Sequence, residues 1–306
     1  MNKIDFSIIT PSYNILQYLK LCASSISDQK DVSFEHIIID AQSNDGTVDW
    51  LKSQSNIQFV SEPDNGMYDA INKGLKIAKG DILAYLNSDE QYLPYTLEYV
   101  INCFNKYPDI DFIYGDALVV NNNGGIVAFK KSYNLRLPYL LTSALYIPTC
   151  SLFFRRKVID NGILFDIQFQ SAGDAYFVEK MLKHGMKGKR IRKYLSTFTI
   201  TGNNLCFTDA GRSELREWLK RGFILRFLKI PLALCQFAEK FITGVFWERM
   251  PIKYSIYTID SQDKRKEFLC DNVSFSIQSD KLNRKMVSTI LNIIVKPFYR
   301  NTERGE

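Results

Sequence analysis

Acidic side chains repeatedly follow short hydrophobic runs in the first 90 residues of this chain of 306 residues. Such runs have the length of buried strands, and the carboxyl ends of parallel strands share one edge of a sheet. Carboxylate oxygens gathered there could hold a hard divalent cation and, through it, a diphosphate. Each residue alone is more often a turn or helix-cap residue, so the prediction depends on the whole set. The set comprises Asp40, Asp64, Asp69, Asp89 and Glu90.

The segment Tyr85–Glu90 is the most informative of these, because a hydrophobic run ends abruptly in Asn87-Ser88-Asp89. One interpretation is a metal-diphosphate site in which Asp89 is the cation ligand. Asn87 could form hydrogen bonds there but would bring no charge. The other interpretation is a polar turn ahead of a helix that begins near Pro94. The six residues alone favour neither interpretation, so the neighbouring motifs decide.

The elements that must position these residues alternate between strand and helix. Repeats of about 25–30 residues indicate βαβ units, and therefore an α/β fold with a mostly parallel central sheet flanked by helices. The polar loop 10–14 and the turns that follow the next two strands should then lie at one edge of the sheet, with Asp89. The predicted strands are 6–9, 36–39, 57–60 and 82–86.

The pattern changes after residue 92, where longer extended segments and a β-hairpin replace the regular alternation. From residue 210 the sequence becomes basic and rich in aromatic residues, and a helical extension is predicted for 210–306. The predicted elements between are a helix at 94–107, strands at 112–116 and 151–154, a hairpin at 118–129, an irregular segment at 133–150, a helix at 174–184 and an extended segment at 193–201.

The positive charge is concentrated in the last third of the chain. Residues 1–209 contain 21 Lys and Arg against 22 Asp and Glu, whereas residues 210–306 contain 18 against 11. Such an excess indicates an anionic partner, for which a membrane surface and a nucleic acid are the general candidates. Trp and Phe between the basic residues of 212–249 are typical of a helix at a membrane interface, and equally of a packed helix or a dimer contact. No motif that reads nucleic acid accompanies the charge, so we expect no nucleic-acid partner.

Several classes of protein are disfavoured by absent motifs. The first strand is not followed by Gly-x-Gly-x-x-Gly, and neither a P-loop nor Gly-x-Ser-x-Gly occurs, which argues against dehydrogenases, P-loop enzymes and serine hydrolases. The six cysteines are scattered and there are only two histidines, so we expect a reduced, cytoplasmic location rather than a structural zinc site. No secretory signal is seen, and no run reaches the roughly 18–20 uncharged apolar residues of a membrane span.

Four motifs follow one another in the first 90 residues, and a weaker similarity continues through Tyr114-Gly115-Asp116 to about residue 204. In this order they resemble glycosyltransferase family 2. The resemblance implies a GT-A fold, a nucleotide-diphosphate sugar donor, a divalent metal (Mn²⁺ or Mg²⁺) and inversion at the anomeric carbon. It also implies a catalytic domain over 1–209, with a nucleotide-sugar half (1–92) and an acceptor half (93–209). The motifs are Thr10–Asn14, Asp40 with Ser43–Thr47, Glu62–Gly74 and Leu86–Asp89.

The resemblance also implies roles for the matching residues. The loop after the first strand and Asp40 would hold the nucleotide base, Asp69 would lie near the nucleotide or donor sugar, and Asp89 would bind the metal. Asn87 departs from the family's acidic first motif position and removes one negative charge from the metal site. The implied donor-binding residues are Pro11, Ser12, Tyr13, Asn14, Asp40, Ser43, Asp69, Asn87 and Ser88.

The family's catalytic base lies at the start of a helix after the acceptor-side strands, which matches Asp174 in the segment Ser171–Phe177. A carboxylate opposite the leaving diphosphate could accept the proton of an acceptor hydroxyl. The alternative role for Asp174 is a helix N-cap, and Asp166 and Glu179 are then the fallback bases.

These features together predict an inverting glycosyltransferase that acts in surface polysaccharide biosynthesis. It would move a hexosyl or N-acetylhexosaminyl group from a nucleotide-diphosphate donor, with a UDP-sugar expected, to a hydroxyl of a glycan or lipid-linked saccharide. Residues 212–249 would place it peripherally on the inner membrane face. One alternative is a sugar-nucleotide binding protein with weak or no catalysis, because Asn87 lacks a charge. A nucleotidyltransferase is the other, although the Gly-rich basic loop of that class is missing after the first strand.

Overall fold

The structure, a computed structural model, describes residues 3–202, 204–205, 208–221, 227–246, 248 and 250–271. In its first part, strands and helices alternate as the sequence predicts. These elements are β1 (Phe6–Ser12), α1 (Leu16–Ser27), β2 (Phe34–Asp40), α2 (Thr47–Lys52), β3 (Ile57–Ser61), α3 (Met67–Ile77) and β4 (Ile82–Tyr85).

The first four strands form a parallel half-sheet in the order β3-β2-β1-β4. Both faces of β1 are covered, which is why Ile8 and Ile9, on opposite faces, are both apolar. Ile8 packs in the same cluster as Ile26 of α1, whereas Ile9 packs with Leu75 of α3 on the other face. A Cβ at Gly74 would lie 2.5 Å from the Ile9 side chain, so glycine is what lets α3 approach β1 closely.

The predicted loop at 10–14 is wrong for its first three residues, because β1 continues to Ser12. Pro11 pairs in register with Ile39 and Ser12 pairs with Asp40 of β2. The pairing of β1 with β4 ends at Ile9, so β1 has a single neighbour at Pro11. A proline, which cannot donate a ladder hydrogen bond, is tolerated at such an edge position.

The second part of the sheet is mixed. It runs on from β4 through β8, β6 and β9 to β5, with β7 paired to β6. The long β6–β9 pair is parallel, whereas β4–β8, β6–β8, β5–β9 and β6–β7 are antiparallel, so this part of the sheet combines both directions. The elements are β5 (Glu90–Tyr92), α4 (Thr96–Lys106), β6 (Phe112–Asn121), β7 (Ile126–Lys130), α5 (Leu137–Thr142), β8 (Leu152–Arg155), α6 (Lys157–Asp160), α7 (Gly173–Lys183) and β9 (Gly188–Ile200).

Two sequence predictions in this part are corrected. Segments 112–116 and 118–120 form one strand, β6, because β9 pairs alongside it from Phe112 to Asn121. The segment 133–150 contains the short helix α5, which has Pro138 in its first turn, where a missing N–H costs no hydrogen bond.

The sequence analysis predicted a helical extension from residue 210. In the structure this region contains strands as well as helices. Two helices, α8 (Asp209–Arg221) and α9 (Lys229–Ile242), both pack on α5. They are followed by an antiparallel hairpin of β10 (Ile252–Thr258) and β11 (Ser261–Cys270). Tyr254 and Ile256 are buried at alternate positions, a strand period that the composition concealed. The part of the predicted extension at 272–306, which includes an apolar stretch at 286–295, lies outside the described residues.

Within the described residues, no helix has the length and apolar character needed to cross a bilayer.

Arg265 attaches the hairpin β10–β11 to the residues at the end of α1 and in β5 of the central sheet. Its guanidinium forms a bidentate ion pair with Asp28 at the end of α1, at 2.5 and 2.8 Å, and donates to the carbonyl oxygens of Tyr92 and Ser255, both at 3.0 Å. Gln91 of β5 adds a reciprocal pair of 2.9 Å hydrogen bonds with the backbone of Tyr257. The hairpin therefore braces β5 directly behind the Asp89 turn.

We expect Arg265→Met to lower the free energy of unfolding by about 2 kcal/mol. The change removes the ion pair with Asp28 and leaves the carbonyl groups of Tyr92 and Ser255 without this donor. Asp28 keeps the hydrogen bond from the Tyr257 hydroxyl at 2.9 Å and its contact with solvent, which moderates the loss. Urea denaturation measures the effect, and Lys264→Met, which removes an exposed cation next to it, is the control. Equal stability of the two variants would show that the hairpin is not held by Arg265.

Candidate active site

The carboxyl edge of the first four strands opens into a cleft of about 1460 Å³. Residues that follow each strand line it, as the predicted topology requires. They are Pro11–Tyr18 at the end of β1, Ala41, Gln42 and Asp45 after β2, Pro63, Asp64 and Gly66 after β3, and Asn87–Glu90 after β4. The acceptor-side half contributes, among others, Lys130, Thr149, Asp174 and Asn204.

The loops after β1 and β2 are tied together at one end of the cleft. The backbone N–H of Asn14 donates to Ser43 Oγ at 2.8 Å, and the N–H of Asn44 donates to Asn14 Oδ1 at 2.8 Å. Asn14 has a φ of 48°, a left-handed conformation that asparagine tolerates better than most residues. Tyr13 is exposed at the rim, where its ring is accessible to a ligand. Pro11, Ser12, Tyr13 and Asn14 thus line the cleft as predicted.

Asp40 and Ser43 support this end of the cleft from behind. Asp40 is fully buried, and its carboxylate accepts hydrogen bonds from the backbone N–H of Ser43 at 3.0 Å and from the hydroxyls of Ser43 and Ser61 at 2.5 and 2.8 Å. Because protein groups supply these hydrogen bonds to the carboxylate, the observed role of Asp40 is to shape the loop after β2. Its predicted contact with a nucleotide base stays a prediction.

Asp69 also lies away from the residues that line the cleft. Its carboxylate accepts the backbone N–H of Asn65 at 3.0 Å and lies 3.5 Å from the ammonium of Lys73. These contacts fix the turn ahead of α3, from which Asp64 and Gly66 do face the cleft. The role proposed for Asp69 near the donor stays a prediction.

The turn after β4 brings four predicted residues into the middle of the cleft. Ser88 Oγ donates to the carbonyl of Pro11 at 2.7 Å, which ties this turn to the end of β1. Burial raises the pKa of the Asp89 carboxyl to about 6, while Asn204 donates to Asp89 Oδ2 at 3.0 Å and opposes that shift. Burial, reinforced by the charge of Asp89, raises the pKa of Glu90 to about 8. A bound cation would relieve the cost of burying these carboxylates.

The residues present fit a divalent cation that is completed by substrate. Asn87 Oδ1 is buried and has no hydrogen-bond partner among the described residues, while the Asn87 backbone N–H is held by Glu90 at 2.9 Å. Mg²⁺ and Mn²⁺ accept a carboxylate and an amide oxygen, and commonly take their remaining ligands from substrate phosphates and water. No cluster of three or more acidic, His or Cys ligands occurs in the described part of the chain.

Neither histidine belongs to the cleft. His36 is buried in β2 and its Nε2 lies 2.9 Å from Thr10 Oγ1, and burial lowers its pKa to about 3. His184 ends α7 with its Nδ1 2.8 Å from the carbonyl of Lys180. Both histidine side chains therefore contact other groups of the protein.

Asp174 lies in the first turn of α7 and faces the cleft from the acceptor-side half. The helix N-cap is Ala172, so the alternative role of Asp174 as an N-cap is not seen. Burial raises the pKa of its carboxyl to about 6, and the ammonium of Lys130 is the largest of the influences that oppose this shift. A Cβ at Gly173 would lie 2.6 Å from the Tyr68 ring, so glycine allows the start of α7 to approach α3.

The fallback bases lie elsewhere. Asp166 accepts hydrogen bonds from Gln168, and Glu179 is buried in an ion pair with Lys183 at 2.6 Å. Neither lines the cleft. Asp174 is therefore the acceptor-side carboxylate that the structure places opposite the Asp89 turn.

Two cleft residues, Asn204 and Lys130, were missed by the sequence analysis. Asn204 is 115 positions from Asp89, and an asparagine between β9 and α8 has no pattern that would connect it with the turn after β4. Lys130 ends the β6–β7 hairpin, where a lysine is ordinarily a solvated strand end. Long-range pairing of strands, which the sequence does not state, brings both into the site.

We expect Asn204→Ala to weaken divalent metal use about tenfold. Asn204 holds Asp89 at 3.0 Å and is itself held by the backbone N–H of Thr201 at 3.0 Å, so it fixes the orientation of the metal ligand. Loss of such supporting hydrogen bonds typically costs 10- to 100-fold in metal affinity. The measurement is the Mn²⁺ concentration for half-maximal activity, with Asn161→Ala on the surface of α6 as the control. An unchanged metal requirement would contradict the supporting role.

The curled mixed sheet and its cleft define a GT-A-type glycosyltransferase fold. The sequence model described as glycosyl transferase family 2 matches residues 7–182. The chain belongs to this family.

Two curated relatives illustrate its breadth. The chain is 30% identical over 182 residues to the Escherichia coli UDP-Glc:alpha-D-GlcNAc-diphosphoundecaprenol beta-1,3-glucosyltransferase WfgD, covering 58% of this chain and 69% of that protein. It is 32% identical over 124 residues to the PGL/p-HBAD biosynthesis glycosyltransferase of Mycobacterium bovis BCG, covering 39% of this chain. It spans about half (48%) of the length of that mycobacterial relative.

Solved structures confirm the fold. Staphylococcus aureus TarS residues 1–349 in complex with UDP-GlcNAc superimpose with a TM-score of 0.55 at 20% identity, covering 72% of this chain and 73% of that one. The mannosyltransferase PcManGT from Pyrobaculum calidifontis, in complex with GDP-Man and Mn²⁺, gives a TM-score of 0.51 at 15% identity and covers 80% of this chain and 77% of that one. At these identities the likeness concerns the fold.

Proposed function

We propose that the protein is an inverting, metal-dependent glycosyltransferase that uses a nucleotide-diphosphate sugar. The observation that carries this proposal is the placement of two carboxylates in one cleft, Asp89 in the turn after β4 and Asp174 in the first turn of α7. Asp89 with Asn87 suits the diphosphate end of a donor, and Asp174 suits the hydroxyl of an acceptor. Two carboxylates with separate roles are what a single-displacement sugar transfer requires.

The chain's own residues have definite tasks in this reaction. The acceptor oxygen attacks the anomeric carbon while Asp174 takes the hydroxyl proton, the bond from that carbon to the diphosphate oxygen breaks, and the nucleoside diphosphate leaves with the bonding electron pair. Attack from the face opposite the leaving group inverts the anomeric carbon. Asp89 and the Asn87 amide oxygen would hold the cation, which when bound neutralises charge on the leaving diphosphate. Ser88 ties the turn after β4 to Pro11, and holding both substrates in line lowers the barrier further.

The donor is proposed to be a UDP-hexose or UDP-N-acetylhexosamine. Support comes from WfgD, named as a UDP-Glc enzyme, and from the TarS complex with UDP-GlcNAc. Ser12 Oγ is buried at the edge of the cleft with no hydrogen-bond partner among the described residues, so it is available to a nucleotide. The residues that distinguish hexose from N-acetylhexosamine are not specified by these contacts.

The acceptor is proposed to be a hydroxyl of a lipid-linked saccharide in envelope glycan synthesis. A relative named as a GlcNAc-diphosphoundecaprenol glucosyltransferase and another named for PGL/p-HBAD biosynthesis support this class. Lys130 and Lys240 on the acceptor-side wall supply positive charge for a phosphate near the accepting sugar. Such an acceptor would be met at the cytoplasmic face of a membrane.

The test is transfer from a panel of radiolabelled sugar nucleotides to GlcNAc-diphosphate-lipid, with and without Mn²⁺. We expect metal-dependent transfer from one UDP-sugar and a product of inverted anomeric configuration. Donor binding by calorimetry is measured in parallel, because the alternative is a protein that binds sugar nucleotides without turnover. Binding with no transfer or hydrolysis for any donor would establish that alternative.

A further inference from the structure

Helix α9 has the reverse of the polarity expected for a helix on a water-soluble domain. The polar side chains of α9 that the structure describes after its first residue point inward: Gln236 donates to the carbonyl of Tyr139 at 3.3 Å, and Glu239 accepts the backbone N–H of Asn134 at 3.1 Å. Lys240 is buried and lines the cleft. A surface helix normally turns such groups outward and its apolar residues toward the core.

The outward side of α9 is apolar. Every exposed residue of this helix whose side chain the structure describes is apolar, and Phe227 precedes them in the turn that leads into the helix. The largest exposures are 93% for Phe227, 83% for Ile242, 73% for Ile230 and 54% for Leu234. The exposed set is Ile230, Pro231, Leu234, Cys235, Ala238, Phe241 and Ile242. A contiguous stripe of this kind marks an interaction surface.

The neighbouring helix α8 carries exposed positive charge. Arg212, Arg216 and Lys220 are four residues apart and all exposed, so they form one stripe along the helix, next to the exposed Leu215 and Leu219. Both helices pack on α5, and Trp218 anchors α8 there by donating to the carbonyl of Ser143 at 3.0 Å. Exposed cations on α8 and an apolar stripe on α9, two helices that pack on the same helix α5, complement an anionic lipid surface, which offers both phosphate groups and hydrocarbon.

We propose that the apolar stripe of α9, with the basic stripe of α8, is a docking surface for an anionic lipid bilayer. The charge complementarity favours lipid over a second copy of this chain, because two copies would bring like charges of α8 together if they met through this face. The helices lie in the interface rather than cross it, in keeping with their lengths. This surface assignment stands on the two helices and does not require catalysis.

The position of this surface relative to the cleft connects it to the acceptor, and this connection rests on the proposed function. Lys240 lines the cleft from the inner side of α9, whereas Phe241 and Ile242 are exposed on its outer side. One helix, about 10–12 Å across, therefore separates the cleft from the docking surface. A lipid-linked sugar whose carrier stays in the bilayer would reach the acceptor side of the cleft by this wall.

The experiment is co-sedimentation of the full chain with vesicles of phosphatidylcholine, with and without phosphatidylglycerol. The apolar variant carries Ile230→Gln, Leu234→Gln and Ile242→Gln. Its matched control carries Val127→Gln, Ile167→Gln and Leu269→Gln, which are exposed apolar residues elsewhere.

The charge variant carries Arg212→Gln, Arg216→Gln and Lys220→Gln, and its control carries Lys30→Gln, Lys76→Gln and Lys264→Gln. Circular dichroism and thermal unfolding establish that each variant is folded.

We expect the wild type to bind phosphatidylglycerol vesicles and the apolar variant to bind at least about tenfold less, with its control unchanged. The charge variant should lose the preference for phosphatidylglycerol and the sensitivity to salt, since both arise from the basic stripe. Absence of wild-type binding, or equal binding by the apolar variant and its control, would overturn the proposal. A wild-type dimer that the apolar variant converts to a monomer, without vesicle binding, would assign the face to a second copy instead. Vesicle binding is measured without donor or acceptor, so its outcome does not depend on whether the transferase assay succeeds.

Discussion

Asp174→Asn is expected to lower the turnover number by about 10²–10⁴ while leaving donor affinity nearly unchanged. The substitution keeps the volume and the hydrogen bond that the side chain accepts from Ala175 at 2.8 Å, but removes the basic oxygen. The first turn of α7, which carries Asp174, is separate from the turn after β4 that carries Asp89, and we therefore expect donor binding to depend little on Asp174. The measurement is transfer rate under saturating donor, together with donor binding by calorimetry.

The pH dependence of transfer gives a second readout of the same group. A base acts in its ionised form, and burial has raised the pKa of Asp174 to about 6, so the rate should fall as the pH drops through about 6. The groups that face this carboxyl are Lys130, Thr149, Tyr68 and Tyr85. Because the Lys130 ammonium favours the ionised carboxylate, Lys130→Met should move the fall to higher pH.

The fallback base Asp166 supplies the control. Asp166→Asn changes a carboxylate outside the cleft, and we expect transfer by this variant to stay within about twofold of the wild type. If Asp174→Asn kept full turnover while Asp166→Asn lost it, the assignment of the base would be wrong. Full activity in both variants would point to a base supplied from another part of the chain.

The parallel half of the fold could be predicted from the sequence because its signals are local. A buried strand leads to Asp40 and another leads to Asp89, and a turn and a helix follow each of them. This local pattern predicts the direction of each strand and the edge of the sheet at which the polar ends meet. Those signals led to the loops at Pro11–Asn14 and Asn87–Asp89, which do line the cleft. The predicted end of β1 was too early, because a proline usually indicates a loop. Pro11 is tolerated in the strand because β4 no longer pairs with β1 at that position.

The acceptor-side half could be predicted less well because it depends on pairing between distant segments. The parallel pairing of β6 with β9 and the antiparallel pairing of β5 with β9 determine where Asn204 and Lys130 lie, and no local pattern encodes either. Hairpin β10–β11 was missed because its outward positions are charged and its region was judged by composition. Its docking depends on Arg265, one basic residue among many in that third. Asp174 was found through a family motif rather than through any property of its own neighbours.

Asp89→Asn is expected to abolish metal-dependent transfer, with a loss of at least about 10³ in turnover at moderate Mn²⁺. The amide removes the charge that pairs with the cation while Asn204 still finds an oxygen to which it can donate, so folding is preserved. Since Asn87 contributes an uncharged oxygen, Asn87→Ala should raise the Mn²⁺ requirement by about tenfold without abolishing turnover. Metal titrations of both variants against the wild type make the comparison.

The reverse change at the same position separates a charge effect from a positional one. Asn87→Asp restores the second carboxylate of the family's motif, and we expect it to lower the Mn²⁺ concentration for half-maximal activity, because each added ligand charge strengthens binding of a hard cation. The new carboxylate would lie beside Asp89 and Glu90, whose burial already raises their pKa values, so the tighter metal binding should be accompanied by lower stability of the metal-free protein. Full activity of Asp89→Asn, or a metal requirement that none of the three variants alters, would show that the turn after β4 does not hold the cation.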